Sequence, residues 1–191
     1  MKKFIVLATL LVAGLAQAEG NYASLTFDQK DKQNATQTNY VYGLNVGQKF
    51  ANGFTVEARM EDERVESTSQ KQEGLLQAKV SYDIATGTAF TPYVAGAVGH
   101  KNKSTIDFNF WVAEAGVKAK FGDFGARYGY RRRTAFDNTT TNAYDTDEQT
   151  IALGYNITKQ DNISIAYKLE RRNDSVSSEY NTKGIYYTRS F

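Results

Sequence analysis

Apolar and polar side chains alternate at every second residue along most of the chain. One segment sets Tyr40, Tyr42, Leu44 and Val46 against Val41, Gly43, Asn45 and Gly47. The next sets Phe54, Val56, Ala58 and Met60 against Thr55, Glu57, Arg59 and Glu61. Leu76, Ala78, Val80 and Tyr82 alternate with Gln77, Lys79 and Ser81, and Ile163, Ile165, Tyr167 and Leu169 with Ser164, Ala166, Lys168 and Glu170. A period of two belongs to strands with two unlike faces. Tight Gly- or Asn-containing turns at 51–53, 86–88, 121–123 and 159–162 recur about every 35 residues. Longer polar stretches at 30–38, 66–72, 101–105, 136–147 and 173–179 alternate with them. These nine connections join ten strands, expected at 20–29, 39–50, 53–65, 73–85, 89–100, 106–121, 123–135, 148–158, 162–172 and 180–191. The segments at 89–100 and 106–121 alternate less cleanly, and eight or twelve strands also fit the pattern.

Short turns on one side and longer loops on the other are the layout of a barrel that crosses a membrane. In a soluble barrel or sandwich the apolar face fills the inside. Here the polar face carries Arg, Glu and Lys in mid-strand. The apolar face carries aromatics near strand ends: Phe50, Phe54, Tyr82, Phe90, Phe121, Phe124 and Tyr155 by the short turns, and Tyr40, Tyr130 and Tyr180 by the loops. Two aromatic girdles around an aliphatic belt fit a bilayer. The expected fold class is therefore all-β, a transmembrane antiparallel up-and-down β-barrel of about ten strands. Both termini are expected on the short-turn side, in the periplasm.

The first 18 residues are expected to be cleaved. Lys2 and Lys3 precede an apolar run at 4–15, and Ala16-Gln17-Ala18 follows as a small-x-small cleavage site. The run is shorter than the roughly 20 residues of a membrane-spanning helix. Residues 19–191 then form the barrel, with 21 basic and 21 acidic side chains. Zero net charge removes the simplest argument for a nucleic-acid partner. The negative mean hydropathy excludes a helical membrane protein but not a barrel, which shows lipid only every second residue. With no cysteine in the chain, neither disulfides nor a thiolate metal site can hold it together.

The C-terminal segment Gly184-Ile185-Tyr186-Tyr187-Thr188-Arg189-Ser190-Phe191 resembles the last strand of bacterial outer-membrane proteins. That resemblance implies recognition by the barrel-assembly machinery through Ile185, Tyr187 and Phe191; Arg189 stands where that pattern holds an apolar residue. Thr91-Pro92-Tyr93-Val94-Ala95-Gly96-Ala97-Val98-Gly99 resembles a strand of the small OmpA-like barrels. A weaker resemblance, carried by Arg127-Tyr128-Gly129-Tyr130-Arg131-Arg132-Arg133 and Lys168-Leu169-Glu170-Arg171-Arg172, is to the narrow oligogalacturonate porins, which have more strands and line their lumen with Arg. These resemblances imply an outer-membrane location and contact with its lipid and lipopolysaccharide.

The polar face names the candidate site. Glu57, Arg59, Glu61, Lys79, Glu114, Lys118, Arg127, Arg131, Arg133, Lys168, Glu170 and Arg172 are expected to line the lumen. In a ten-stranded ring the acidic third strand faces the eighth, flanked by the basic seventh and ninth. Held apart by water, such walls would orient small polar solutes in a narrow passive channel. Brought together, they would form ion pairs that brace a closed structural or surface-interaction barrel. Both readings stay open, the channel first. A lipid-modifying enzyme comes third: His100, the only histidine, stands near Ser104 and Asp107, but an exposed loop histidine explains it more simply. Asp145-Thr146-Asp147-Glu148 could hold calcium weakly, although a solvated acidic loop is simpler. No cofactor or metal is expected, and solute identity and oligomeric state are not legible.

Overall fold

The computed structural model describes residues 20–33, 38–66, 71–103, 107–136, 144–173 and 178–191. The expected signal segment, Ser104 and the tips of the long connections lie outside them. The described chain forms β1 (Asn21–Lys32), β2 (Thr38–Lys49), β3 (Phe54–Val65), β4 (Lys71–Asp83), β5 (Phe90–Lys103), β6 (Asp107–Phe121), β7 (Phe124–Ala135), β8 (Thr146–Asn156), β9 (Asp161–Arg172) and β10 (Glu179–Ser190). Each strand pairs antiparallel with its neighbours in sequence. β1 then pairs with β10 from Tyr22 and Ser190 to Lys32 and Tyr180, which closes the ring.

The expected ten strands are present, with every end within three residues of expectation. The differences have one main cause. Residues such as Lys30, Asp31 and Lys101 are polar and read as loop, yet their backbones stay in the ladder. Hydrogen bonding between strands does not stop where the apolar belt stops. At the other end the turns are tight. β6 and β7 are joined by Gly122 and Asp123 alone, and Gly122 takes φ +61°, a conformation that glycine adopts without strain.

The outward face is apolar and exposed, including Leu25, Val56, Val80, Val94, Ile151, Leu153, Ile163 and Ile165. Aromatic pairs mark its short-turn rim: Phe54 with Tyr82, Phe90 with Phe121, and Phe124 with Tyr155. Tyr40 pairs with Phe27 toward the loop end. Tyr180, expected in the outer girdle, belongs to the inner face instead. It shares parity with Thr182 and Tyr186, and its ring lies under the Lys30 ammonium and the Arg172 guanidinium, at 4.8 and 4.3 Å.

Inward glycines give large inward side chains their space. A Cβ on Gly47 would meet the Tyr22 ring, one on Gly99 the Phe110 ring, and one on Gly116 the Tyr93 ring. The barrel interior is thus keyed, strand against strand, by bulk opposite absence of bulk.

Candidate functional site: the charged lumen

Inward side chains form three tiers along the barrel axis. In the tier nearest the short turns, Glu114 accepts hydrogen bonds from Lys79 at 2.9 Å and from the Tyr93 hydroxyl at 2.8 Å, and it pairs with Arg127. Arg127 Nε donates to the Tyr93 hydroxyl at 2.8 Å. Lys79 on β4 meets Glu114 on β6 because the β5 residues between them, Ala95 and Ala97, are small. Tyr22 donates to Glu57 at 2.7 Å, and Lys118 reaches Asp83 at 2.5 Å.

The middle tier joins Lys168 on β9 to Asp28 on β1 at 2.5 Å. The strand between them is β10, and there Gly184 leaves the room that the Asp28 carboxylate occupies. Arg59 pairs with Glu61 two residues along its own strand. Arg131 donates to Gln77 at 2.7 Å.

The loop-side tier is packed. Lys30 lies between Glu63 and Glu170, at 3.6 and 3.4 Å. Arg172 reaches Glu170 at 3.1 Å and Glu73 at 3.8 Å, and Lys101 pairs with Glu73. Beside these ions sits an apolar cluster of Ala97, Phe108, Phe110, Val112 and Ala135. Phe110 is 0% exposed. Tyr144, at the base of the β7–β8 connection, stacks on Phe108 with centroids 4.7 Å apart, and the Asp145 carboxylate accepts from the Ala135 amide at 3.0 Å. Arg133 lies over both Phe rings, at 5.9 and 5.6 Å. This cluster explains why β6 reads poorly in sequence: at its loop end the usual polarity is inverted, with Phe108 and Phe110 turned inward and Asp107 and Asn109 outward.

Below the packed tier lies a cavity of about 540 Å³. Glu57, Arg59, Lys79, Glu114, Lys118, Arg127, Arg131 and Lys168 are on its wall, with Tyr22, Gln77, Glu148 and Tyr186. Residues beside the short turns, including Lys120, Phe124, Asn156 and Asn162, line its lower part. Glu61, Arg133, Glu170 and Arg172 stand in the paired and packed tiers rather than on that wall. The opposed acidic and basic walls are not what the barrel contains. Glu61 is held by Arg59, Glu63 by Lys30, and Arg131 reaches Gln77 rather than β3. A wall of one sign would leave like charges crowded in a poorly hydrated space. Mixed tiers neutralise most of these charges locally.

Several contributors were not named from sequence. Lys30 and Lys101 fell in stretches read as loop. Tyr22, Tyr93 and Phe110 look like ordinary strand aromatics, and the signal that could have found them is a partner glycine on the neighbouring strand. Of the other candidate residues, Ser104 lies outside the described residues. His100 is exposed and faces Asn109 at 3.0 Å on the outside. The acidic run at 145–148 is split by strand alternation. Asp145 is buried against Ala135, Asp147 accepts from Tyr130 at 2.6 Å on the outer face, and Glu148 is on the cavity wall. Among the described residues no three His, Cys, Asp or Glu side chains converge as metal ligands.

Lys30 tests the packing of the loop-side tier. Lys30→Met leaves Glu63 and Glu170 facing each other without their shared cation. Breaking a buried pair from one side costs about 3–5 kcal/mol, less where water reaches the site. The expected result is unfolding at lower denaturant concentration than the wild type. Lys30→Met with Glu170→Gln should lose less than the sum of the two single changes.

A closed antiparallel ring, an apolar belt outside and a paired, charged interior define a transmembrane β-barrel of the outer-membrane class. No protein-family model and no curated protein matches the sequence. Among solved structures, the chain is similar to an outer membrane channel from Pseudomonas putida F1, with a TM-score of 0.59 at 10% identity over 92% of this chain and 97% of that one. It is similar to the NanC porin, TM-score 0.55 at 13% identity over 87% of this chain and 100% of that one. It is also similar to the KdgM porin solved with disordered oligogalacturonate, TM-score 0.51 at 13% identity over 88% of this chain and 99% of that one. At these identities the common property is the barrel fold.

Proposed function

We propose that the protein is a narrow passive channel of the bacterial outer membrane for small hydrophilic solutes. The observation that carries the reading is the polar cavity of about 540 Å³ that runs from the short-turn end to the packed tier. Seven cations line it, Arg59, Lys79, Lys118, Lys120, Arg127, Arg131 and Lys168, against the anions Glu57, Glu114 and Glu148. Asp28, Glu61 and Asp83 pair with Lys168, Arg59 and Lys118 and offset part of that excess. The expected selectivity is a mild preference for anions. The porins and the channel that share the fold support this reading at the level of architecture.

A second reading has its own observation. Phe110 is fully buried, and Lys30, Lys101, Glu170 and Arg172 of the same tier are paired, as in a closed barrel braced by its own side chains. The two readings differ in transport. Proteoliposomes holding the channel should swell in isosmotic glycine faster than protein-free liposomes, and hardly at all in a trisaccharide. Swelling no faster than protein-free liposomes in either solute would favour the closed barrel.

In this proposal the short turns lie in the periplasm and the long connections outside. Ile185, Tyr187 and Phe191, all exposed on the outer face, present the assembly signal, and residues 1–18 are removed during export. The protein should fractionate with the outer membrane and migrate differently on gels when heated. A tag at 137–143 should be reached from outside intact cells and one at Gly122 should not. Recovery from the soluble periplasm, or the reverse labelling, would contradict the proposal.

A further inference from the structure

The outside of the barrel is not uniform. On β10 the outward residues between Lys183 and Arg189 are only Ile185 and Tyr187, so the apolar belt is narrow there. An open groove of about 420 Å³ runs along this wall, lined by Phe27, Ile151, Leu153, Ile165, Tyr167 and Ile185. Gln29 and Lys183, paired in register, stand at its loop-side end. A second recess, of about 380 Å³, continues it toward the loops. The two adjoin because Gln149 follows Ile151, and Leu169 follows Tyr167, as successive outward residues.

The charges around the groove are unequal in their partners. Arg171 is paired with Glu179 at 2.6 Å, and Asp147 accepts from Tyr130 at 2.6 Å. Asp31 accepts from Gln29 at 3.4 Å. Lys183 is exposed and has no carboxylate partner among the described residues. A lipid-facing lysine costs about 2–4 kcal/mol at the bilayer midplane and about 0–1 kcal/mol near the interface. An unpaired ammonium directly above an apolar groove, with a polar recess beyond it, is complementary to an anionic amphiphile. The order along the barrel axis is that of a lipid standing in the outer leaflet: acyl chain, charged group, polar head.

We propose that the β8–β9–β10–β1 wall binds one phosphorylated glycolipid of the outer leaflet, with an acyl chain in the groove and a phosphate on Lys183. This inference rests on the outer-membrane orientation given above and is independent of conduction. The association is non-covalent, and the phosphate supplies the counter-charge that the sequence leaves out.

The test is native mass spectrometry of the purified barrel in mild detergent, titrated with bisphosphorylated lipid A and separately with the neutral digalactosyl diacylglycerol. The wild type should take up one lipid A and bind the neutral lipid much more weakly. Lys183→Ala should weaken lipid A binding about tenfold, as expected for loss of one charged contact, and Lys183→Arg should restore it. Ile151→Trp, which fills the groove without changing charge, should also weaken it. Arg64→Ala, an exposed change on β3, outside this wall and three strands from β10, should bind as the wild type. Wild-type affinity in Lys183→Ala, or equal binding of the neutral lipid, would overturn the proposal. So would an equal loss in Arg64→Ala. Retained heat-dependent migration verifies the fold of each variant, and Lys183→Ala should leave liposome swelling unchanged, so this proposal and the channel reading can fail separately.

Discussion

Gly116→Ala is expected to prevent assembly of the barrel, whereas Gly129→Ala is expected to weaken it and to be rescued by Tyr93→Phe. The two glycines face each other on β6 and β7, and both lie against the Tyr93 ring. The atoms that a new Cβ would meet differ. At Gly129 the only close atom is the Tyr93 hydroxyl oxygen, 2.5 Å away, and the next are at 3.7 Å. Removing that oxygen removes the clash. At Gly116 the Cβ would stand 2.2 Å from the Tyr128 carbonyl oxygen, a backbone atom of the paired strand. No side-chain change relieves it, so β6 and β7 would have to separate. Overpacking of the first kind costs about 1–3 kcal/mol. Tyr93→Phe alone loses the bridge between Arg127 and Glu114, yet the double variant should be more stable than the sum of the two single losses. Denaturant unfolding of the three variants, with gel migration before and after heating, measures this. Additive losses at Gly129 and Tyr93 would mean that the ring does not occupy the glycine notch.

Phe110→Ala is expected to be the most damaging single truncation inside the barrel. The side chain is 0% exposed and fills the notch over Gly99, and truncating a buried Phe costs about 3–5 kcal/mol. Phe108 stays stacked on Tyr144, so the variant should assemble and lose stability rather than fold differently. Phe136→Ala supplies the comparison, since Phe136 is 58% exposed and should change stability little. A Phe110→Ala barrel as stable as the wild type would mean that the loop-side tier is hydrated and loosely packed.

How much of this was legible follows from which forces act within one strand and which act between strands. Lipid outside and polar groups inside impose a period of two, so the belt residues from Val56 to Ile165 and the candidate charges from Glu57 to Arg172 could be assigned to faces by parity. Turn chemistry placed the hairpins, as at Gly122. What a single strand does not carry is the identity of its neighbour at a given height. Asp28 meets Lys168 across Gly184 only because three strands are in register. Glu61 is satisfied by Arg59 on its own strand rather than across the barrel. Charge composition suggested two opposed walls, and register produced mixed tiers. Tyr180 was misplaced for a different reason. An aromatic at a strand end was read as girdle, although its parity with Tyr186 puts it inside. The closure at Phe108 and Phe110 was hidden because the polarity is inverted there: Asp107 and Asn109 face outward and the two Phe rings inward, the reverse of the rule that apolar side chains face lipid.

The central claim is a lumen whose passage is set by that loop-side tier, and single-channel recording in planar bilayers tests it most directly. Wild-type protein should show a small conductance, with a reversal potential in a potassium chloride gradient that favours chloride. Phe110→Ala should conduct more, because the cluster that narrows the lumen loses its largest fully buried member. A wild-type barrel and a Phe110→Ala barrel that both fail to conduct, although folded and inserted, would contradict the account.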